Sequence, residues 1–127
     1  MISTIVAVAI GGALGATARY GVGVGAVHVF GHGYPWGTLI VNIVGSFLMG
    51  AMIAKFSQMD GVSHVMRVML TTGFLGAFTT FSTFSLDFMT MWQKGDALQA
   101  FIYMSASVIL SILALGLAMY LMRGTAA

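Results

Sequence analysis

The sequence has few charged residues, no cysteine and no glutamate. Only 6% of its 127 residues are charged, against about 25% in ordinary soluble domains, and the mean hydropathy is +1.00. Without cysteine, the chain forms neither a disulfide nor a thiolate metal site. Its five basic residues are scattered, which excludes the basic patch of a nucleic-acid-binding protein. The composition therefore predicts a protein of the lipid bilayer, with a single domain over residues 1–127.

Long apolar runs predict four membrane crossings. A helix needs roughly 20 mainly apolar residues to cross the hydrocarbon core, and four segments meet this need, namely residues 2–27, 37–54, 68–86 and 97–122. Pro35, the only proline, falls just before the second crossing, where its missing N–H does no harm. The predicted fold class is an all-α integral membrane protein. Because four thin helices enclose no sizeable aqueous path, we expect a homo-oligomer.

The basic residues give little preference for one orientation in the membrane. Four crossings place both termini on one side, together with Lys55, Arg67 and Arg123, while Lys94 lies on the other side, joined by Arg19 if that side chain snorkels there. Three basic residues against one or two is a weak bias under the positive-inside rule. A chain with this distribution can insert in either orientation.

Polar residues inside the crossings are the candidate functional residues. Arg19 either snorkels to the interface or places a fixed positive charge at the mouth of an anion path. Asn42 either forms an interhelical hydrogen bond or donates to a passing anion. Tyr103, Ser107 and Ser111 fall at i, i+4 and i+8, on one face of the fourth crossing. A lone serine often bonds to its own helix backbone, but three aligned hydroxyls favour a polar track.

The stretch GFLGAFTTFSTFS, from Gly73 to Ser85, concentrates hydroxyls and phenylalanines in the third crossing. Glycine and threonine have weak helix propensity, so the pattern predicts a break in the helix near Gly76. The freed carbonyls of a broken helix need partners, and they suit a small hard cation such as sodium. The positive edges of aromatic rings suit an anion. Phenylalanines at this spacing also serve as ordinary packing residues, which is the role we expect for Phe78.

The sequence resembles the Fluc (CrcB) family of bacterial fluoride channels. The matching motifs are GGALGATARY, GTLIVNIVGSFLMG and, as the most specific, TTGFLGAFTTFSTFS, and the resemblance extends over all four crossings. Ala77 stands where many members have a second glycine, a difference without consequence if only the backbone contributes there. The resemblance implies a dual-topology antiparallel homodimer in the bacterial inner membrane, with two pores through which fluoride leaves the cytoplasm passively.

The resemblance also implies roles for individual residues. A structural sodium ion at the centre of the dimer would be held by the main-chain carbonyls of Gly76 and Thr79. The ion pathway would be lined by a vestibule arginine, a pore asparagine, two pore phenylalanines and a series of hydroxyls, which in this sequence are Arg19, Asn42, Phe81, Phe84, Thr83, Tyr103, Ser107 and Ser111. Together these groups would replace the hydration shell of fluoride with many modest donors.

Two other classes of membrane protein are alternatives. A small four-helix proton-coupled multidrug exporter needs a carboxylate within the membrane, whereas the only acidic residues, Asp60, Asp87 and Asp96, are predicted in loops or at a helix end. A non-transporting membrane scaffold would use the polar stretch only to hold helices together. We do not expect an enzyme, because the sequence has neither metal-ligand spacing nor a nucleophile with a plausible partner.

Overall fold

The computed structural model describes residues 1–124, and this part of the chain contains helices and no strand. The first two helices and the last are long, and a series of shorter helices lies between them. In chain order the elements are α1 (Ile2–Phe30), α2 (Trp36–Phe56), α3 (His64–Val68), a π-helical segment (Met69–Leu75), α4 (Gly76–Phe78), α5 (Phe81–Gln93) and α6 (Ala97–Gly124).

The predicted four-helix arrangement agrees with this element order. Within the described residues, α1, α2 and residues 97–123 of α6 are each long and apolar enough to cross a membrane. The third crossing corresponds to residues 64–93, where no single helix reaches that length. The chain is therefore a multi-pass membrane protein. Residues 1–124 contain three continuous helices that can span a membrane, and the fourth predicted crossing is divided among shorter helices.

Two glycines allow the short connections between helices. Gly31 follows α1 with φ 82°, and its N–H donates to the carbonyl of Val27 over 2.8 Å. Gly95 lies in the turn between α5 and α6 with φ 86°, and its N–H donates to the carbonyl of Trp92 over 3.1 Å. Side chains other than glycine rarely adopt these left-handed conformations, so both turns depend on the glycine.

Helix α2 lies between α1 and α6, and the two halves of the third crossing pack on different neighbours. Residues 64–78 pack on α1, whereas α5 packs on α6. Close approach of the first half depends on Gly15, because a Cβ there would collide with the carbonyl of Phe74. Small residues are the usual means of bringing membrane helices together, since lipid supplies no hydrophobic drive for their association.

The buried residues form two clusters on either side of α2. One contains Leu39, Phe84 and Tyr103, and the other contains Val41, Leu75 and Phe78. Phe78 is buried with its ring stacked on that of Phe74, at 6.0 Å between centroids, which confirms the packing role expected for it. Many other large apolar side chains are exposed along α1 and α6, as a surface in contact with lipid requires.

Helical conformation in the third crossing is interrupted at Thr79 and Thr80. Thr79 has φ −87° and ψ 159°, and Thr80 has φ −153° and ψ 120°, so both are extended. The sequence predicted that the first half-helix ends near Gly76, but Gly76 begins α4, which continues to Phe78.

The position of Asp87 also differs from the expectation. Asp87 was predicted at a helix end near the interface, but α5 runs on for six residues beyond it, to Gln93. Its side chain is half-buried, not exposed at an end. At 1.5 Å of rise per residue, Asp87 lies about 9 Å along the helix axis from Phe81.

Candidate functional site

Asn42 on α2 hydrogen-bonds to the interruption of the third crossing. Its Oδ1 accepts from the N–H of Thr80 at 2.8 Å, and its Nδ2 donates to the carbonyl of the same residue at 3.1 Å. The amide therefore satisfies both backbone groups of a residue that has left the helix, as backbone at membrane depth requires.

The side chain of Thr80 caps the helix that follows. Its Oγ1 accepts from the N–H of Thr83 at 3.3 Å and donates to Oγ1 of Thr83 at 3.2 Å. A threonine at this position satisfies one of the N–H groups that every helix leaves free in its first turn. The cap thus fixes Thr80 at the start of α5, and Phe81 is the first residue of that helix.

Arg19 hydrogen-bonds to the helical turn just before the interruption. Its Nε donates to the carbonyl of Ala77 at 3.0 Å, and the side chain is half-buried. Arg19 lines a groove of about 370 Å³ together with Thr80 and Thr83. The guanidinium is thus bonded to the protein, and it places a positive charge beside the hydroxyls of the interruption.

A second groove, which we call the central groove, is also lined by Thr80. It has a volume of about 330 Å³. It brings together five of the residues predicted for the ion pathway with residues of the interruption and of α6, and it is lined by Asn42, Thr79, Thr80, Phe81, Phe84, Ser107, Val108, Ser111 and Ile112. No acidic residue is in this lining set.

Two hydroxyls of the central groove have no hydrogen-bond partner. Oγ of Ser107 and Oγ of Ser111 are buried, and neither bonds to another group within residues 1–124. Ser107 is only 5% exposed as a whole residue. Buried hydroxyls nearly always have a partner, so these two are donors that remain available to a group entering the groove.

The two phenylalanines of the central groove have different surroundings. Phe81 is 77% exposed, whereas Phe84 is buried in the cluster with Leu39 and Tyr103. Their ring centroids are 5.6 Å apart, with an interplanar angle of 48°. The pair therefore presents one free ring at the surface of the chain and one ring fixed by the core.

Tyr103 lies apart from the two serines in its contacts. It is fully buried, its ring centroid is 5.3 Å from that of Phe84, and its hydroxyl donates to Oδ2 of Asp87 at 3.0 Å. Asp87 lines a third groove, of about 260 Å³, with Tyr34 and Lys94. Burial raises the pKa of the Tyr34 phenol, which lies in the loop between α1 and α2. Of the predicted hydroxyl track on α6, Ser107 and Ser111 line the central groove, whereas Tyr103 is buried beside Asp87.

Sequence reasoning missed two residues of this region. Thr80 lines both the groove of Arg19 and the central groove, and threonine is one of the residue types preferred just before a helix. Asp87 was not connected with Tyr103 because the two are 16 residues apart and on different helices.

Comparison with known proteins identifies the family. The family model described as CrcB-like protein, Camphor Resistance (CrcB), matches residues 6–119. The chain belongs to the CrcB-like family. The family resemblance of its motifs is thereby confirmed, and the match extends from α1 into α6.

Several relatives of this CrcB-like chain carry the name fluoride-specific ion channel FluC. The protein of Mesorhizobium japonicum is 49% identical over 116 residues, which are 91% of this chain and 93% of that protein. The protein of Cereibacter sphaeroides is 47% identical over 124 residues, 98% of each chain. The protein of Caulobacter vibrioides is 53% identical over 109 residues, 85% of this chain and 86% of that protein.

Proposed function

We propose that this chain forms a fluoride-selective channel through which fluoride leaves the cytoplasm passively, in the bacterial inner membrane. The observation that carries the proposal is the central groove, in which two unsatisfied hydroxyls and two phenylalanine rings lie together without a carboxylate. The relatives named fluoride-specific ion channels match nearly the whole length of the chain, which supports the same conclusion.

The chemistry of the groove suits a small, strongly hydrated anion. Hydroxyl groups donate hydrogen bonds to an anion, and aromatic rings present a positive edge. Each such donor is modest, and no full positive charge in the groove would trap the ion. A carboxylate would repel it. Arg19, in the neighbouring groove, would raise the local concentration of anions at the mouth of the path.

We further propose that the channel is a dual-topology antiparallel homodimer with two pores. The large ring of Phe81 and the backbone at Gly76 are exposed on a single chain, and a second copy packed there would cover both. The small difference in basic residues between the two sides of the membrane suits insertion in both orientations.

A structural sodium ion is the third part of the proposal, with the carbonyls of Gly76 and Thr79 as its ligands. In a continuous helix these carbonyls would accept from the N–H groups of Thr80 and Thr83. The first N–H donates instead to Asn42, and the second to the side chain of Thr80. Carbonyls released in this way are the groups that bind sodium at broken membrane helices, so the residues fit the ion. When bound, the ion would hold the two chains together.

Flux from liposomes tests the proposed function. The full chain is purified, reconstituted into liposomes loaded with potassium fluoride or potassium chloride, and an electrode for each halide records efflux after the membrane potential is dissipated with valinomycin. We expect fast fluoride efflux and chloride efflux close to that of protein-free liposomes. Equal rates for the two halides would contradict a selective channel, and absence of both would contradict transport.

A further inference from the structure

We infer that Asn42 is a positioning residue, whose amide fixes the peptide of Thr80 and so sets the start of α5. The inference rests on the proposed function and concerns the division of roles within the central groove. It assigns to Asn42 the shape of the interruption.

The geometry of the amide supports this assignment. Both polar atoms of Asn42 bond to the same residue, through Oδ1 to the N–H of Thr80 at 2.8 Å and through Nδ2 to its carbonyl at 3.1 Å. Two bonds to a single residue fix the amide plane as well as the distance. An amide that left Thr80 would break both bonds at once, and a backbone N–H and a carbonyl inside the membrane would lose their partners.

The position of Thr80 determines several other groups. Thr80 caps α5 through the N–H of Thr83, so its peptide sets the first turn of that helix and the direction of the Phe81 side chain. In a continuous helix, the N–H of Thr80 would donate to the carbonyl of Gly76. By holding that N–H, Asn42 keeps the Gly76 carbonyl free and prevents the helix from extending across the interruption.

Two substitutions at Asn42 test whether its amide holds Thr80. Asn42→Asp keeps the size of the side chain and an acceptor for the Thr80 N–H. Asn42→Gln keeps an amide that can meet an ion, but one additional methylene displaces both of its polar atoms from Thr80. Ser46→Ala, one helical turn along α2, is the matched control, because Ser46 does not line the central groove.

Solid-state NMR of the full chain in liposomes without fluoride gives the first readout. The ¹³Cα and ¹³Cβ shifts of Thr80 report whether that residue is extended. We expect extended values in the wild type, in Asn42→Asp and in Ser46→Ala, and a move toward helical values, or loss of the signal, in Asn42→Gln. Extended Thr80 shifts in Asn42→Gln would overturn the inference.

A fluoride titration of the wild type gives the second readout and needs no variant. We expect the ¹³Cα and ¹³Cβ shifts of Thr80 to keep their extended values from zero to saturating fluoride. Helical values at saturating fluoride would overturn the inference, because the amide would then not hold Thr80 when the ion is present. Failure of the wild type to transport fluoride in the efflux assay would contradict the proposed function, whereas the Thr80 shifts without fluoride would still decide what Asn42 holds.

Discussion

Phe81 and Phe84 both line the central groove, but only Phe84 belongs to the core. Phe81→Ile replaces an exposed ring with a side chain of similar bulk, so the chain should keep its stability while the positive ring edge is lost. We expect fluoride flux to fall roughly tenfold, the effect of losing about 1.4 kcal/mol of ring-edge interaction with the ion. Liposome efflux measures this loss.

Phe84, whose ring is buried, provides the comparison with Phe81. Phe84→Ile should reduce both fluoride flux and thermal stability, because the ring packs against Leu39 and Tyr103 and removing part of a buried side chain costs roughly 1–3 kcal/mol. Normal flux in Phe81→Ile would show that the exposed ring is not part of the path.

Substitution of Ser107 and Ser111, the serines of α6 without a hydrogen-bond partner in the described part of the chain, should have opposite effects on thermal stability and on fluoride flux. A buried hydroxyl without a partner costs on the order of 1–3 kcal/mol, so Ser107→Ala and Ser111→Ala should leave thermal stability unchanged or increase it. The same substitutions remove donors from the groove and should slow fluoride flux. Ser105→Ala is the control, because Ser105 is exposed and lies outside the central groove. A loss of stability in Ser107→Ala would indicate that its hydroxyl has a structural role.

At the level of helices, the sequence predicted the crossings well and the interruption less well. Apolar length and short connections were sufficient to find the four crossings, since both depend on local composition. The interruption was expected near Gly76 but lies at Thr79 and Thr80. Weak helix propensity alone does not end a helix. The N–H of Thr80 leaves the helix for Asn42, 38 residues away, and such a contact is visible only in the folded chain.

A contact between residues distant in the sequence also explains why the position of Asp87 was predicted wrongly. A charged residue after a long apolar run was interpreted as the end of a helix, yet α5 continues to Gln93. The carboxylate accepts a hydrogen bond from Tyr103 on α6, and this partner allows it to lie half-buried inside the helix. The alignment of Ser107 and Ser111 on one face was predictable from their spacing, but the absence of partners for their hydroxyls was not.

Close contact between α2 and α6 depends on Gly50, which has no side chain. A Cβ at Gly50 would collide with the backbone of Leu115, whereas a Cβ at Gly116, the next residue of α6, meets nothing within 4 Å. Gly50→Ala should therefore lower the free energy of unfolding by about 1–3 kcal/mol through overpacking. Gly116→Ala should not lower it, since alanine has the higher helix propensity. Denaturant titration of both variants in detergent checks the difference, and equal stabilities would contradict the close packing of these helices.

At the scale of the whole molecule, a substitution at Gly76 should affect the proposed dimer and not the fold of the single chain. A valine at Gly76 would place a β-branched side chain beside one of the proposed sodium ligands. Within one chain the Cβ would meet only the carbonyl of Thr71, at 3.6 Å, which is an ordinary contact. Any crowding must then come from a second copy. We expect Gly76→Val to remain folded but to shift the equilibrium from dimer to monomer.

Fluorescence energy transfer between labelled chains in liposomes measures that equilibrium as the protein is diluted in lipid. Gly21→Val is the matched control, because it places the same β-branched side chain in α1 where a Cβ meets nothing within 4 Å. Equal dimer fractions in the two variants would place the contact between chains elsewhere, and with it the proposed sodium site.

The reversal potential of the current across a planar bilayer tests the central claim most directly. With opposed gradients of potassium fluoride and potassium chloride, a passive fluoride-selective channel should reverse at the equilibrium potential of fluoride. The value should not move when the pH of one side is changed, because the central groove contains no acidic residue to carry a proton. A reversal potential that follows chloride, or one that moves with pH at fixed fluoride, would contradict the account.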